Sequence, residues 1–245
     1  MRMRAVMDWQ REARTGLAEA VFAEGKSSAD LAEIVAAAAA DGRRLLLTRL
    51  EPQAHASLPR ATARRLDYDP VSRTAVLGGL RDDLPAAVAI VSGGMSDLRV
   101  VQEARRTLQF AGVGAALFVD VGVAGLWRLM DRLDDIRQYP VVVAMAGMEG
   151  ALFSVLAGLL SAPLIAVPVS AGYGVAEGGR LALDSALGSC APGLTTVNID
   201  NGFGAAQAAL RILNLSRPTG ERRGARGARH RPGPAASTRP PRGRG

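Results

Sequence analysis

The sequence contains very few of the side chains on which nucleophilic, metal and phosphoryl-transfer chemistry usually depends. Its 245 residues include one cysteine, two histidines and one lysine. A single cysteine excludes an intramolecular disulfide and any multi-cysteine metal site, and it is typical of a reducing compartment, so we expect a cytoplasmic location. His55 and His230 both lie outside residues 86–215, where a zinc cluster or a Ser-His-Asp triad is therefore excluded. The lysine, Lys26, belongs to no P-loop motif.

The positive charge is confined to the C-terminal segment. The formal net charge is +7, yet residues 216–245 contain nine arginines against one acidic residue, so residues 1–215 are close to neutral. A neutral body offers no basic face to a phosphate backbone, and we expect no specific nucleic-acid partner. Residues 216–245 are also rich in Pro, Gly and Ala, which predicts a disordered tail.

One uncharged stretch, residues 150–176, is long enough to span a bilayer. Pro163 and Pro168 interrupt it, and glycines follow, so it reads better as a buried helix, a turn, a buried strand and a glycine loop. The first residues include no apolar segment of a secretory signal. We expect no membrane association.

Residues 1–80 predict a small α+β module. Apolar residues at helical spacing, such as Leu17, Ala20 and Val21, indicate helices, and a short apolar run with a turn-rich segment indicates strands. The predicted elements are two helices, a strand and a hairpin, at residues 8–23, 27–40, 44–48 and 65–77. Residues 78–85 are polar and rich in Gly and Pro, which is typical of a domain boundary.

Residues 86–215 alternate short apolar runs with helix-length segments. Strands that are apolar on both faces and separated by amphipathic helices indicate a parallel sheet covered on each side. We therefore expect an α/β fold with a three-layer, doubly wound, flavodoxin-like sheet, whose ligands bind where the strands end. The predicted strands are 88–91, 115–119, 141–146, 164–167 and 195–199, and the predicted helices are 97–111, 123–131, 149–160, 179–187 and 203–214.

The turn after the first of these strands has the composition of a phosphate cradle. Gly93 and Gly94 allow close backbone approach, and Ser96 can cap the following helix, whose N-terminus favours anions. The alternative is an ordinary capped helix.

Glu149 follows the third strand, between glycines and alanines. Desolvation at such a strand end raises a carboxylate pKa toward the range useful for proton transfer. The alternative is a helix N-terminal acid without chemistry. The next two strand ends, 168–174 and 198–204, are also rich in Gly and small polar residues, and the first of them predicts a flexible flap over a ligand.

Cys190 stands in a loop framed by Gly188, Pro192 and Gly193. Buried packing is the ordinary role of a lone cysteine, but a loop position on the same sheet edge as the other turns suits a thiolate nucleophile. We expect Cys190 at that edge.

Taken together, the motifs SGGMSDLRV, DVGVAGLWRL, AGMEGALFSVLAGL and GSCAPGLTTVNIDNGFGA resemble the LarB family, the pyridinium-3,5-biscarboxylic acid mononucleotide synthases of nickel-pincer cofactor biosynthesis. The resemblance covers nearly all of residues 8–213. The α/β part also resembles the PurE-type aminoimidazole ribonucleotide carboxylases and mutases, but the histidine of their Ala-Ala-His-Leu-Pro segment is missing from residues 150–153.

The resemblance implies carboxylation of the pyridinium ring of nicotinic acid adenine dinucleotide at C5 and cleavage of its phosphoanhydride, with release of AMP. A thiolate that adds at ring C4 makes C5 an enamine carbon able to capture carbon dioxide, and Cys190 is the candidate nucleophile. Glu149 is the candidate base for the C5 proton. The implied substrate-binding residues are Ser92, Gly93, Gly94, Ser96, Asp97, Asp120, Gly147, Met148, Ser170, Gly172, Tyr173, Gly174 and Asn201.

The resemblance also implies Mg²⁺, with ligands that the sequence does not identify, carbon dioxide or bicarbonate as co-substrate, and a homo-oligomer, an octamer as in PurE-type proteins. Arg99, Trp127 and Phe153 depart from the family pattern, and Trp127 near a strand end bears on substrate fit. Two alternatives stay open: a PurE-type carboxylase or mutase, and a nucleotide-binding regulator without catalysis.

Overall fold

The structure is a computed structural model that describes residues 6–215, so the tail predicted at 216–245 lies outside the described residues. Two sheets organise the described part of the chain. A four-stranded mixed sheet comes first along the chain, and a five-stranded parallel sheet follows it.

The first sheet has the strand order β1-β2-β4-β3, in which β1 is parallel to β2 and the other pairs are antiparallel. Its strands are β1 Ala20–Phe22, β2 Leu45–Thr48, β3 Leu66–Asp69 and β4 Thr74–Leu77. Its helices are α1 Arg11–Thr15, α2 Ser28–Ala40, α3 Pro52–Ala56 and α4 Arg60–Ala63. Ser27 is the N-cap of α2, since its side chain accepts the N–H of Asp30.

The helix predicted over 8–23 is wrong beyond its first turns. It ends at Gly16, whose φ of 74° takes the left-handed conformation that closes a helix. The chain then continues as strand β1. Val21 and Ala23 are buried while Phe22 between them is exposed, which is strand alternation.

The second sheet has the order β6-β5-β7-β8-β9, and all its neighbours are parallel. Its strands are β5 Ala86–Ser92, β6 Gly114–Phe118, β7 Val142–Ala146, β8 Leu164–Pro168 and β9 Leu194–Thr196. The helices that follow β5 are α5 Leu98–Phe110, α6 Leu126–Met130, α7 Leu133–Ile136, α8 Ala151–Leu159, α9 Arg180–Leu187 and α10 Gly202–Leu215. Three short 3₁₀ helices occupy Met95–Asp97, Val123–Gly125 and Gly174–Gly179.

The predicted three-layer α/β arrangement is confirmed. Alternate residues of β5 point to opposite faces, so Val88 and Ile90 pack with α5 and α10, whereas Ala89 and Val91 pack with α6 to α9. The predicted helix 123–131 is divided into a 3₁₀ turn and α6, and β9 is shorter than predicted. None of the described helices combines the length and the apolar character that crossing a bilayer requires.

The first sheet packs against the α/β part through an apolar contact and a polar one. Leu46 and Val76, on the face of the first sheet away from its own helices, are buried with Phe110 of α5. Beside them, Arg106 of α5 donates to the Thr74 hydroxyl at 2.7 Å and to the Asp67 carbonyl at 2.8 Å.

Candidate active site

The chain reverses its direction of winding between β5 and β7, because β6 is added on one side of β5 and β7 on the other. A crevice opens at the carboxyl ends of strands at such a point, and ligands of doubly wound proteins bind there. Main-chain hydrogen bonds connect neighbouring strand ends along this edge. The Gly93 N–H donates to the Met145 carbonyl at 2.9 Å, and the Val169 N–H donates to the Ala146 carbonyl at 2.9 Å.

The turn after β5 is closed by its own carboxylate. Asp97 Oδ2 accepts the Gly94 N–H at 3.0 Å, so this amide and that of Gly93 are already bonded and do not contribute to the predicted phosphate cradle. The hydrogen bonds of Gly93 and Gly94 therefore favour the interpretation of an ordinary capped helix over that of a phosphate-binding turn. The Ser96 side chain remains exposed at the edge.

Asp97 is the buried acid of this edge, with 3% of its surface exposed. Burial raises its pKa to about 6, and the nearby charge of Asp200 acts in the same direction, against the hydrogen bonds of Gly93 and Gly94. A carboxylate with such a pKa can take up and release a proton near neutral pH. Asp97 was predicted to bind the nucleotide, and the sequence gives no sign of its burial.

Glu149 has the expected place but not the expected environment. It lies after β7 on the loop 147–150, yet it is exposed, so the desolvation predicted there is absent from a single chain. Close packing against the loop after β8 constrains the backbone of the loop 147–150. A Cβ at Gly147 would stand 1.8 Å from the Ala171 carbonyl oxygen, and Met148 adopts a left-handed φ of 52°.

Asp200 organises the strand ends of β8 and β9. Its carboxylate accepts the Ser170 N–H at 2.9 Å and the Ser170 hydroxyl at 2.7 Å, and Arg99 Nη2 lies 2.6 Å from Oδ2. Burial raises the pKa of Asp200, but the Ser170 hydrogen bonds and the Arg99 charge outweigh burial and hold that pKa below its ordinary value. Asp200 stands within the polar strand end 198–204 but was assigned no role from sequence, because its partners come from distant segments.

The other predicted binding residues lie along the same edge. Asn201 Oδ1 accepts the Gly204 N–H at 2.7 Å and so caps α10. Asp120, after β6, pairs with Arg128 at 2.8 Å beside a cavity of about 340 Å³ that Trp127 also lines. Tyr173 is 77% exposed between Gly172 and Gly174, on the loop predicted to cover a ligand.

Cys190 is an exposed free thiol, which excludes the packing role. The path of the chain argues against its predicted position on the carboxyl edge. The loop that bears it runs from the end of α9 at Leu187 to the start of β9 at Leu194, and a segment that leads from a helix into a parallel strand reaches the amino end of that strand. A hydroxyl contact of 2.7 Å between Ser154 and Ser189 links this loop to the middle of α8. The connection thus leads Cys190 toward the amino end of β9, whereas Glu149 follows the carboxyl end of β7.

Among residues 6–215, His, Cys, Asp and Glu side chains form no group of three or more that could hold a metal ion. Protein side chains of the described region thus do not fit a metal cage of their own.

Comparisons with known proteins agree with this architecture. Residues 2–79 match the LarB/PurE-like N-terminal domain, and residues 87–228 match the AIR carboxylase domain. An uncharacterized protein of Methanocaldococcus jannaschii is 34% identical over 210 residues, which cover 82% of this chain and 81% of that protein. The N5-carboxyaminoimidazole ribonucleotide mutase of the same organism is 36% identical over 135 residues, or 52% of this chain and 79% of the mutase.

Proposed function

We propose a function from the premise that the chain belongs to the LarB family, in which a LarB/PurE-like N-terminal domain precedes an AIR carboxylase domain. The proposed reaction carboxylates the pyridinium ring of nicotinic acid adenine dinucleotide at C5 and hydrolyses its phosphoanhydride. The products are pyridinium-3,5-biscarboxylic acid mononucleotide and AMP. The observation that carries the proposal is the exposed thiol of Cys190 in a glycine- and proline-framed loop of a carboxylase-family fold.

The chemistry explains why a thiol is needed. A pyridinium ring is electron-poor and does not attack carbon dioxide. When the Cys190 thiolate forms a bond to C4, the ring becomes an enamine, and C5 then forms a carbon–carbon bond to carbon dioxide. A base next removes the C5 proton, the electron pair restores the aromatic ring, and the C4–S bond breaks to release the thiolate. Water is consumed separately when the phosphoanhydride is cleaved.

Two carboxylates are candidates for the base. Glu149 is the family-based choice, and Asp97 is supported by its burial and by a pKa of about 6. Glu149 acts in this scheme once a second copy covers it, since it is exposed in a single chain.

We propose that the protein acts as a homo-oligomer, an octamer by family resemblance, in which the Cys190 loop of one copy completes the carboxyl edge of another. Two observations support this. Cys190 and Glu149 belong to opposite ends of the strands within one chain. Large apolar side chains are also exposed on the segments that follow the strands at the carboxyl edge, where an interface would cover Met95, Trp127, Tyr173 and Val175.

Carbon dioxide or bicarbonate is the proposed co-substrate. Magnesium is also proposed from the resemblance, but because the described side chains form no metal cage, no step above depends on it. Such an ion would be held by the oxygens of the substrate phosphates.

The proposal is tested by incubating the purified chain with nicotinic acid adenine dinucleotide, bicarbonate labelled with carbon-13 and MgCl₂. Mass spectrometry is expected to find AMP and a mononucleotide that carries one labelled carboxylate. Folded protein that yields neither product would reject the reaction.

A PurE-type mutase is the second candidate, favoured by the 36% identity to the M. jannaschii enzyme. The absence of histidine from residues 150–153 argues against it. The same preparation, given N5-carboxyaminoimidazole ribonucleotide, is expected to leave it unchanged, and turnover would reverse the order of the two candidates.

A further inference from the structure

Arg49 connects the first sheet to the carboxyl edge of the second. It stands immediately after β2, and its φ of 55° is a left-handed conformation that non-glycine residues rarely adopt. This backbone directs the guanidinium away from its own sheet, toward α5 and the segment before α10. There it contacts Glu103 and Asp200.

Glu103 is the first of these partners, and the proposed mechanism does not use it. Its side chain is 2% exposed, and Arg49 Nε lies 3.5 Å from Oε1. Its other oxygen, Oε2, accepts the Gly202 N–H at 3.0 Å at the first residue of α10. A buried carboxylate needs such partners, and Glu103 uses Arg49 on one side and the N-terminus of α10 on the other.

Gly202 fits this arrangement because it lacks a side chain. A Cβ there would stand 2.5 Å from the Val100 carbonyl oxygen and 3.0 Å from Glu103 Oε2. The start of α10 is thus held tightly against α5, and Glu103 lies at the point of contact. Any shift of Glu103 is therefore transmitted to α10 and to the residues just before it.

Asp200 is the second partner of the guanidinium, since Arg49 Nη2 donates to its main-chain carbonyl. The carboxylate of the same residue holds the Ser170 amide and hydroxyl and is paired with Arg99. One arginine of the first sheet therefore supports both the N-terminus of α10 and the residue that orders the loop after β8.

We propose that Arg49 is a positioning residue, by which the N-terminal module keeps Asp200 and Ser170 in place at the carboxyl edge. The inference rests on the proposed function for its effect on catalysis, but its effect on the loop does not. The chain offers a matched control. Arg106 also joins the first sheet to α5 and is similarly shielded, yet its partners, Thr74 and Asp67, lie in the first sheet.

The experiment compares the full chain with its Arg49→Gln, Arg49→Lys and Arg106→Gln variants by hydrogen exchange without substrate. Arg49→Gln is expected to speed exchange in peptides that cover 168–174 and 200–205 about fivefold, because the supports of Asp200 and Glu103 are weakened. Arg106→Gln is expected to leave those peptides unchanged and to speed exchange in β3 and β4. Arg49→Lys keeps a charge near Glu103, so its exchange rates in these peptides are expected to lie between those of the wild type and Arg49→Gln. If Arg49→Gln does not fold, Arg49→Lys is compared with Arg106→Gln in its place.

Turnover of nicotinic acid adenine dinucleotide gives the second readout. Arg49→Gln is expected to lower kcat about tenfold or more while KM changes less than about threefold, with partial rescue in Arg49→Lys and none of these losses in Arg106→Gln. Equal effects of the Arg49 and Arg106 variants on the 168–174 peptide would overturn the inference. A wild-type chain that shows the expected exchange pattern but no turnover would reject the proposed function and leave the positioning of the loop established.

Discussion

Asp97 and Gly94 close the turn after β5 on itself, since the Asp97 carboxylate accepts the Gly94 N–H at 3.0 Å while being 3% exposed. This turn stands where the winding of the sheet reverses. It is held by an acid whose pKa burial raises to about 6, and this makes the turn sensitive to pH.

The pH dependence of stability is predicted to include Asp97. Its pKa rises from 3.8 to about 6 on folding, so the folded state binds the proton more tightly. The stabilisation is complete below about pH 4 and is lost as the pH rises to about 6, and ionised Asp97 then costs on the order of 3 kcal/mol. Asp97→Asn is expected to raise the free energy of unfolding at pH 8 by about 1–3 kcal/mol and to change it little at pH 4.

Urea unfolding at a series of pH values measures this difference. Asp134→Asn is the control, because Asp134 is 92% exposed. Parallel pH curves for the wild-type chain and Asp97→Asn would show that the carboxylate is not perturbed.

Cys190 and Glu149 are predicted to act from different copies. Cys190→Ala and Glu149→Gln are each expected to abolish carboxylation while the circular dichroism spectrum is retained. After mixing, unfolding and refolding together, the two variants are expected to regain activity, because some sites then contain one intact cysteine and one intact glutamate. A mixture of either variant with the doubly substituted chain is the control and stays inactive. If only single chains contain complete sites, the first mixture stays inactive too.

Gly147 is predicted to tolerate no side chain. Its Cβ would stand 1.8 Å from the Ala171 carbonyl oxygen, so Gly147→Ala must displace one of the two loops and is expected to cost about 1–3 kcal/mol of stability. Gly158→Ala is the matched control, because Gly158 is exposed in α8 and the added carbon would meet nothing within 4 Å beyond its own helix backbone. It is expected to gain about 0.5–1 kcal/mol from helix propensity. Thermal unfolding distinguishes them, and similar melting temperatures would contradict the predicted clash.

The ion pair of Arg99 and Asp200 is predicted to stabilise the strand end. Arg99→Met removes a charged partner at 2.6 Å, and the free energy of unfolding is expected to fall by about 1.5–3 kcal/mol at pH 7. Since the pKa of Asp200 is lowered in the fold, its contribution is present above about pH 4 and is lost as the pH falls further. The difference between the two chains should therefore shrink in acid.

Arg180→Met gives the comparison for an exposed pair. Arg180 and Asp184 are 75% and 49% exposed, so their loss is expected to cost less than about 0.5 kcal/mol. Urea unfolding at pH 7 and pH 3 measures the free energy of unfolding of the Arg99→Met and Arg180→Met variants. An Arg99→Met cost as small as that of Arg180→Met would mean that Asp200 does not depend on the pair.

The layers of the fold were predictable because a buried parallel strand has a simple signature. Runs such as 88–91 and 141–146 are apolar on both faces, and their packing follows from that fact. The segment 8–23 misled because Leu17 and Val21, four residues apart, fit the spacing of a helix and also the alternation of a strand. The helix ends at Gly16 because this residue adopts a left-handed conformation, and that conformation depends on the structure around it.

The candidate site was predictable wherever a residue ends or directly follows a parallel strand, as Ser92 and Gly147 do. The position of Cys190 could also have been predicted, since it precedes β9 and so must lie toward the amino end of that strand. The contacts of Arg49 with Glu103 and Asp200 could not, because they arise from the docking of two sheets whose relative placement no local pattern encodes.

The first sheet has apolar side chains on both faces: Leu45 packs with Leu31 of α2 on one side, and Leu46 and Val76 pack with Phe110 of α5 on the other. Because both faces of the first sheet are apolar and buried, removing this sheet would expose the apolar surface of α5 to solvent. A fragment that begins at residue 86 would expose Phe110 to solvent, and we expect it to aggregate. The two sheets thus bury a shared apolar surface, and we expect the second sheet to depend on the first for its stability.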